Sequence, residues 1–147
     1  MRLEAYTCLM NTKHKGEISE SVIVAELLKL GYSVSRPVGD NQRYDLILDV
    51  NGVLYKVQCK TASLMSGGDS VQFQTASTYA HRGGARKGYV GQVDLIMAYS
   101  PHNDEVYWEW VDTETPTCAR SLYLNESKKR TSRRVLAEDR LLNKLSL

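Results

Sequence analysis

The stretch from Arg43 to Lys60, RYDLILDVNGVLYKVQCK, constrains the fold more tightly than any other part of the chain. Two apolar runs flank Asn51-Gly52, the strongest short signal for a hairpin, because both residues accept positive φ in a tight primed turn. Asp45 opens the first predicted strand ahead of Leu46, Ile47 and Leu48, while Gln58 and Lys60 close the second. Side chains alternate along a strand, so Lys56, Gln58 and Lys60 share one face and Tyr55, Val57 and Cys59 the other. A carboxylate, an amide oxygen and an ammonium can therefore meet at one end of a single hairpin.

Around this hairpin the pattern predicts helices and further strands. KGEISESVIVAELLKLG reads as a helix from about Lys15 to Leu30, stopped by Gly31. Glu20, Ile23, Leu27 and Leu30 recur at helical spacing, and Ile18, Val22 and Ala25 widen the stripe. Glu20 thus stands at the N-terminal end of a core-facing stripe, although the helix macrodipole alone also favours an acid there. YSVSRPV is a first strand and SVQFQTAS another, with a small-residue loop from Thr61 to Gly68 before the latter. TYAHRGGARKGYVGQ is a glycine-rich loop carrying basic side chains and no acid. QVDLIMAYS, PHNDE and VYWEWVD form a second hairpin, and SLYL a short edge strand. The segment SKKRTSRRVLAEDRLLNKLSL is basic and then amphipathic, and Val135, Leu136, Leu141, Leu142 and Leu145 suggest a closing helix. Residues 1–12 read as an N-terminal arm and residues 13–147 as a single domain. Helix, hairpin-linked strands and helix make an α/β layer fold, with helices covering a mixed sheet.

Composition narrows the classes of function. A chain of 147 residues can bury a sizeable core. No apolar run approaches the roughly 20 residues of a membrane span, and the opening residues carry no secretory h-region. Cys8, Cys59 and Cys118 are too widely spaced for a disulfide framework or a metal knuckle, which points to a reducing, cytoplasmic setting. His14, His81 and His102 lack metal-ligand spacing. Cys59, facing away from Gln58 and Lys60, reads as core, and Trp108 and Trp110 as core or a subunit interface. The formal charge of +2 is too small to argue nucleic-acid binding by itself.

The polar groups of the hairpin suggest hydrolysis of a phosphodiester. That reaction needs an activated water and a stabilised developing charge, both of which a carboxylate-bound Mg²⁺ supplies. Asp45 is the leading ligand, Gln58 offers a neutral oxygen, Glu20 can complete the shell from the helix, and Lys60 can steer water or balance phosphate charge. An Asp followed thirteen residues later by Gln-x-Lys is a weak signal until the intervening turn and shared strand face are added.

These residues resemble the PD-(D/E)XK nuclease superfamily, with an acid on one strand, an acid-x-Lys on the next and a helical Glu ahead. KGxxxE at 15–20, GDNQRYDLIL at 39–48 and YKVQCK at 55–60 are similar, more narrowly, to group I intron-associated homing endonucleases, with archaeal Holliday junction resolvases as cousins. VDLIMAYSPHNDEVYW and RRVLAEDRLL extend the likeness over roughly residues 13–145. The resemblance implies a restriction-endonuclease-like αβββαβ core and a Mg²⁺-dependent cut leaving a 5′ phosphate, with Mn²⁺ able to substitute. It matches Glu20 to the helical acid, Asp45 to the strand acid and Lys60 to the motif lysine. Gln58 replaces the second acid and Tyr44 the usual Pro. An amide oxygen binds Mg²⁺ more weakly than a carboxylate, and the intron-associated branch tolerates Gln here.

DNA would be met by two basic segments, since phosphate binding draws on Lys, Arg and backbone N–H groups. One holds Arg82, Arg86 and Lys87, with Tyr79 and Tyr89 beside it; the other holds Lys128, Lys129, Arg130, Arg133 and Arg134. Three classes of function follow. The first is a nucleoid-associated DNA endonuclease, cutting duplexes or, as a resolvase, branched junctions. The second is a DNA-binding module on a decayed nuclease scaffold, motivated by Gln58. The third is an assembly protein using its sheet and tryptophans. Cutting both strands with one site per chain calls for a homo-oligomer, a dimer or tetramer.

Overall fold

In the computed structural model, residues 11–78, 85–126 and 134–147 are described. Helix α1 spans Thr12–Lys29. It starts ahead of the expected Lys15 because Asn11 caps it, its side chain accepting the His14 N–H at 2.8 Å. Its end is a Schellman motif. Tyr32 N–H donates to the Leu27 carbonyl at 3.1 Å and Gly31 N–H to that of Leu28 at 3.0 Å, with Gly31 at φ 85°. Ser19, Ile23 and Leu27 are buried, whereas Ala25 and Leu30, expected on the inner stripe, are exposed.

The main sheet has the order β1-β2-β3-β8-β9. Its strands are β1 (Ser33–Ser35), β2 (Leu46–Val50), β3 (Val53–Thr61), β8 (Leu95–Ser100) and β9 (Glu105–Trp110). The predicted hairpin forms with Val50 opposite Val53, and Asn51 and Gly52 take φ of 52° and 87°, the two positive values a primed turn requires. β3 and β8 are parallel; the other pairs are antiparallel. All six residues of β8 are buried, as expected of a parallel strand covered on both faces.

Parallel pairing demands a crossover, usually a helix. Here the described part of the crossover carries strands: β4 (Ser63–Leu64), β5 (Ser70–Gln74), β6 (Ala76–Thr78) and β7 (Arg86–Gly88). The second helix of the αβββαβ order is therefore absent among the described residues. The expected loop from Thr61 to Gly68 thus contains the end of β3 and a short strand. Likewise, the basic loop begins at the end of β6 and contains β7, the two strands pairing as a ribbon.

A second sheet, β11-β10-β5-β4, includes β10 (Ala119–Tyr123) and β11 (Val135–Leu136). SLYL, expected at an edge, therefore lies between two neighbours. The predicted closing helix is also corrected. Val135 and Leu136 pair with β10, and two 3-10 turns follow at Ala137–Arg140 and Leu142–Lys144. Between them Leu141 is extended, its carbonyl accepting the Trp108 indole N–H at 3.0 Å. Long-range pairing overrides a local pattern that suits a helix equally well.

Apolar residues collect on both faces of the main sheet. One cluster joins Ile23 and Leu27 of α1 to Leu46, Val57, Met97 and Trp108. The other joins Phe73 and Leu122 of the second sheet to Ile96, Ala98 and Tyr89. Trp108 is thus core, while Trp110 remains partly exposed. No helix among the described residues is long and apolar enough to cross a membrane.

Candidate active site

A notch in the main sheet sets the geometry of the site. The β2–β3 ladder ends at Leu46 opposite Val57, and Asp45 N–H closes it on the Val57 carbonyl at 2.9 Å. β3 continues to Thr61 with only β8 alongside. Cys59 N–H therefore points toward the side where β2 has stopped, and Asp45 Oδ2 accepts it at 2.8 Å. The ladder end, rather than a flexible loop, fixes this carboxylate.

Gln58 and Lys60 lie on the strand face shared with Ile96 and Ala98 in register. The Gln58 amide nitrogen donates to the Cys59 carbonyl over a long 3.4 Å. Lys60 Nζ donates to the Tyr89 hydroxyl at 2.8 Å.

From the other side, α1 is fastened to the end of β3. Ser19, 1 % exposed, shares a 2.6 Å hydroxyl–hydroxyl hydrogen bond with Thr61. The next residue is Glu20, whose Oε1 lies 3.3 Å from Arg36 Nε. Burial raises the Glu20 carboxyl above its ordinary range; Arg36 opposes the rise, and Asp45 and Glu17 add to it. Burial likewise raises Asp45, against the Cys59 N–H and Lys60. Burial pushes the Cys59 thiol well up, and Asp45 and Glu20 push it further while Arg36 and Lys60 resist. Cys59 is partly buried and packs against the cluster that α1 covers. Glu20, Asp45 and Lys60, distant in sequence, thus act on one common neighbour.

The donor set suits a hard cation. Two carboxylates that burial makes reluctant to ionise gain from a nearby positive charge, and Gln58 adds a neutral oxygen. Among the described residues no three His, Cys, Asp or Glu side chains come together as a metal cage. A small set of oxygens is what Mg²⁺ uses, since it keeps several waters and takes substrate phosphates as further ligands.

The basic residues are placed in part. Arg86 and Lys87 are exposed on β7. Arg134 stacks over the Tyr123 ring, its guanidinium carbon 4.6 Å from the centroid. Arg82, Lys128, Lys129, Arg130 and Arg133 lie outside the described residues, as do Tyr79 and residues 1–10. Tyr89, expected beside an exposed loop, is only 3 % exposed and touches Lys60. Arg36 and Tyr89 are the site neighbours that sequence reasoning missed. Neither has a spacing rule that ties it to the hairpin.

Residues 10–140 match the family described as PD-(D/E)XK endonuclease. No curated protein sequence matches the chain significantly. Among solved structures, the bacterial homing endonuclease I-Ssp6803I is similar, with a TM-score of 0.73 and 29 % identity over 90 % of this chain and 89 % of that one. This likeness supports the expected α/β class and restriction-endonuclease-like core. A family match across most of the sequence, on a fold shared with a homing endonuclease, shows that the chain belongs to the PD-(D/E)XK endonuclease family.

Proposed function

We propose that the protein is a Mg²⁺-dependent DNA endonuclease of the homing type, cutting duplex DNA, with Mn²⁺ able to replace Mg²⁺. Asp45, Gln58 and Glu20 would hold the ion, which when bound activates water and offsets charge on the phosphate. Lys60 stands on the same strand face as Gln58, where its ammonium balances phosphate charge and orients the attacking water. Asp45 keeps its position through the Cys59 N–H, and Glu20 through the Ser19–Thr61 bond one residue away. Arg86 and Lys87 provide phosphate contacts from the β6–β7 ribbon, joined by Arg82 and by the basic segment at Lys128, Lys129, Arg130, Arg133 and Arg134. One site per chain leads to a homo-oligomer for a double-strand cut, and DNA as substrate puts the work inside the cell.

What supports this reading is the notch where the ladder ends: Asp45 is held there by the Cys59 N–H, Lys60 follows Cys59 on the same strand, and the Ser19–Thr61 bond ties the helix carrying Glu20 to the end of that strand. The test is cleavage of supercoiled plasmid and of a synthetic four-way junction, side by side, with Mg²⁺, Mn²⁺ or EDTA. Metal-dependent plasmid cutting that Lys60→Ala abolishes supports the proposal. Preference for the junction would replace homing with a resolvase role. Binding without cleavage of any DNA form would instead make the chain a decayed DNA-binding module.

A further inference from the structure

We propose that Tyr89 is a positioning residue for the motif lysine and that Arg43 braces it. This inference rests on the reading of Lys60 as part of the cleavage machinery. A lysine ammonium sits on a flexible stem with rotatable donors, so its direction must be imposed by a neighbour. The Tyr89 hydroxyl does this at 2.8 Å. Lys60 Nζ stands 5.1 Å from the ring centroid. With the hydroxyl this close, the ammonium lies out toward the oxygen, and the hydrogen bond rather than the ring face defines the contact.

Tyr89 is itself held firmly. Its ring is buried, and its carbonyl accepts the N–H groups of Gln92 at 2.9 Å and Val93 at 3.2 Å. The Arg43 guanidinium stacks on the ring at 4.4 Å from the centroid. The same guanidinium donates to Gln92 Oε1 at 2.6 Å, Ser77 Oγ at 2.6 Å, and the carbonyls of Lys87 and Gly88 at 3.2 and 3.0 Å. A planar fork with several fixed donors can do all of this at once; an ammonium cannot. Arg43 also lies two residues before Asp45. Asp45, through the backbone, and Lys60, through its hydrogen bond, are therefore both referenced to one ring. A tyrosine that only filled the core would need some partner for its hydroxyl, but its partner here is the motif lysine.

The decisive variant is Tyr89→Phe, which removes the oxygen and keeps the ring and its stacking. Three quantities are read on the full chain: single-turnover cleavage of supercoiled plasmid with Mg²⁺, affinity for the same DNA in EDTA, and melting temperature. The expected result is a fall in the cleavage rate of roughly tenfold to a hundredfold, the scale of a small misplacement of a reacting group, with DNA affinity unchanged and the melting temperature lowered by no more than the few degrees that one hydrogen bond accounts for. Arg43→Lys is expected to slow cleavage in the same direction, and wild-type rates there would remove the brace. Lys60→Met is run alongside. If it cleaves normally, the reading of Lys60 fails. If it is inactive while Tyr89→Phe cleaves like wild type, that reading stands and the role of Tyr89 is overturned. A loss in Tyr89→Phe matched by weaker binding, or by a melting temperature low enough to unfold the chain in the assay, would also overturn it, by making the residue merely structural.

Discussion

Truncating Ser19 tests how α1 is locked to the site. The hydrogen bond to Thr61 is 2.6 Å long and Ser19 is 1 % exposed. A net intramolecular hydrogen bond contributes about 0.5–1.5 kcal/mol, and leaving one buried partner unmade costs about 1–3 kcal/mol. Ser19→Ala leaves a half-buried Thr61 hydroxyl that can turn to water and should lose about 0.5–1.5 kcal/mol, whereas Thr61→Val strands the buried Ser19 hydroxyl and should lose about 1–3 kcal/mol. The double variant removes both polar groups, so its loss should fall short of the sum by about 1 kcal/mol, the coupling of a direct contact. For a domain of this size each kcal/mol moves the melting temperature by about 2–4 °C. Urea titrations of the four proteins give the cycle, and plasmid cleavage adds a second readout. Because Glu20 follows Ser19 in the same helix, cleavage by Ser19→Ala should fall even where the protein remains fully folded. Additive losses with no coupling, together with unaltered cleavage, would refute the idea that this bond sets the position of Glu20.

Other outcomes follow from the same geometry. Burial raises Asp45 above its ordinary 3.8, so the fold favours the protonated acid. Its contribution to stability is fully present below 3.8 and is lost as pH rises through the raised value. Asp45→Asn should abolish metal-dependent cleavage yet raise the melting temperature of the ion-free protein near neutral pH, with a flatter pH profile; a lower melting temperature there would contradict the sign. Glu109, 4 % exposed, pairs with Arg120 and, at 3.3 Å, with Arg140. Glu109→Gln leaves two partly buried guanidinium groups without their counter-charge and should lose about 3–5 kcal/mol in urea unfolding, whereas a loss under 1 kcal/mol would mean the cluster is solvated. Replacing Arg86 and Lys87 together by Ala should flatten the plot of log affinity against log salt by about 2 if each neutralises one phosphate. An identical slope would turn the ribbon away from DNA.

The part of the fold legible in the sequence was the part governed by local rules. Asn51-Gly52 sets its turn through backbone sterics, and Gly31 ends its helix for the same reason. Strand alternation put Gln58 and Lys60 on one face, and the hairpin then brought Asp45 beside Cys59. Contacts made across the chain were not legible. Arg43 reaches Ser77, Lys87, Gly88 and Gln92, and Tyr89 reaches Lys60; neither leaves a period or spacing to read. The segment from Val135 to Leu145 has apolar positions that a helix would use. It is drawn out instead by β10 and by Trp108, both distant in sequence. The β-rich crossover was hidden similarly, since SVQFQTAS announces a strand but not which sheet it joins.

Diffraction from crystals soaked in Mn²⁺, read by anomalous scattering, shows where the cation sits. The account predicts one strong peak in the notch, within about 2.0–2.3 Å of an Asp45 carboxylate oxygen and in contact with Gln58, with Glu20 linked directly or through water, and no such peak in Asp45→Asn. A peak seated elsewhere, or one that persists in Asp45→Asn, would contradict it.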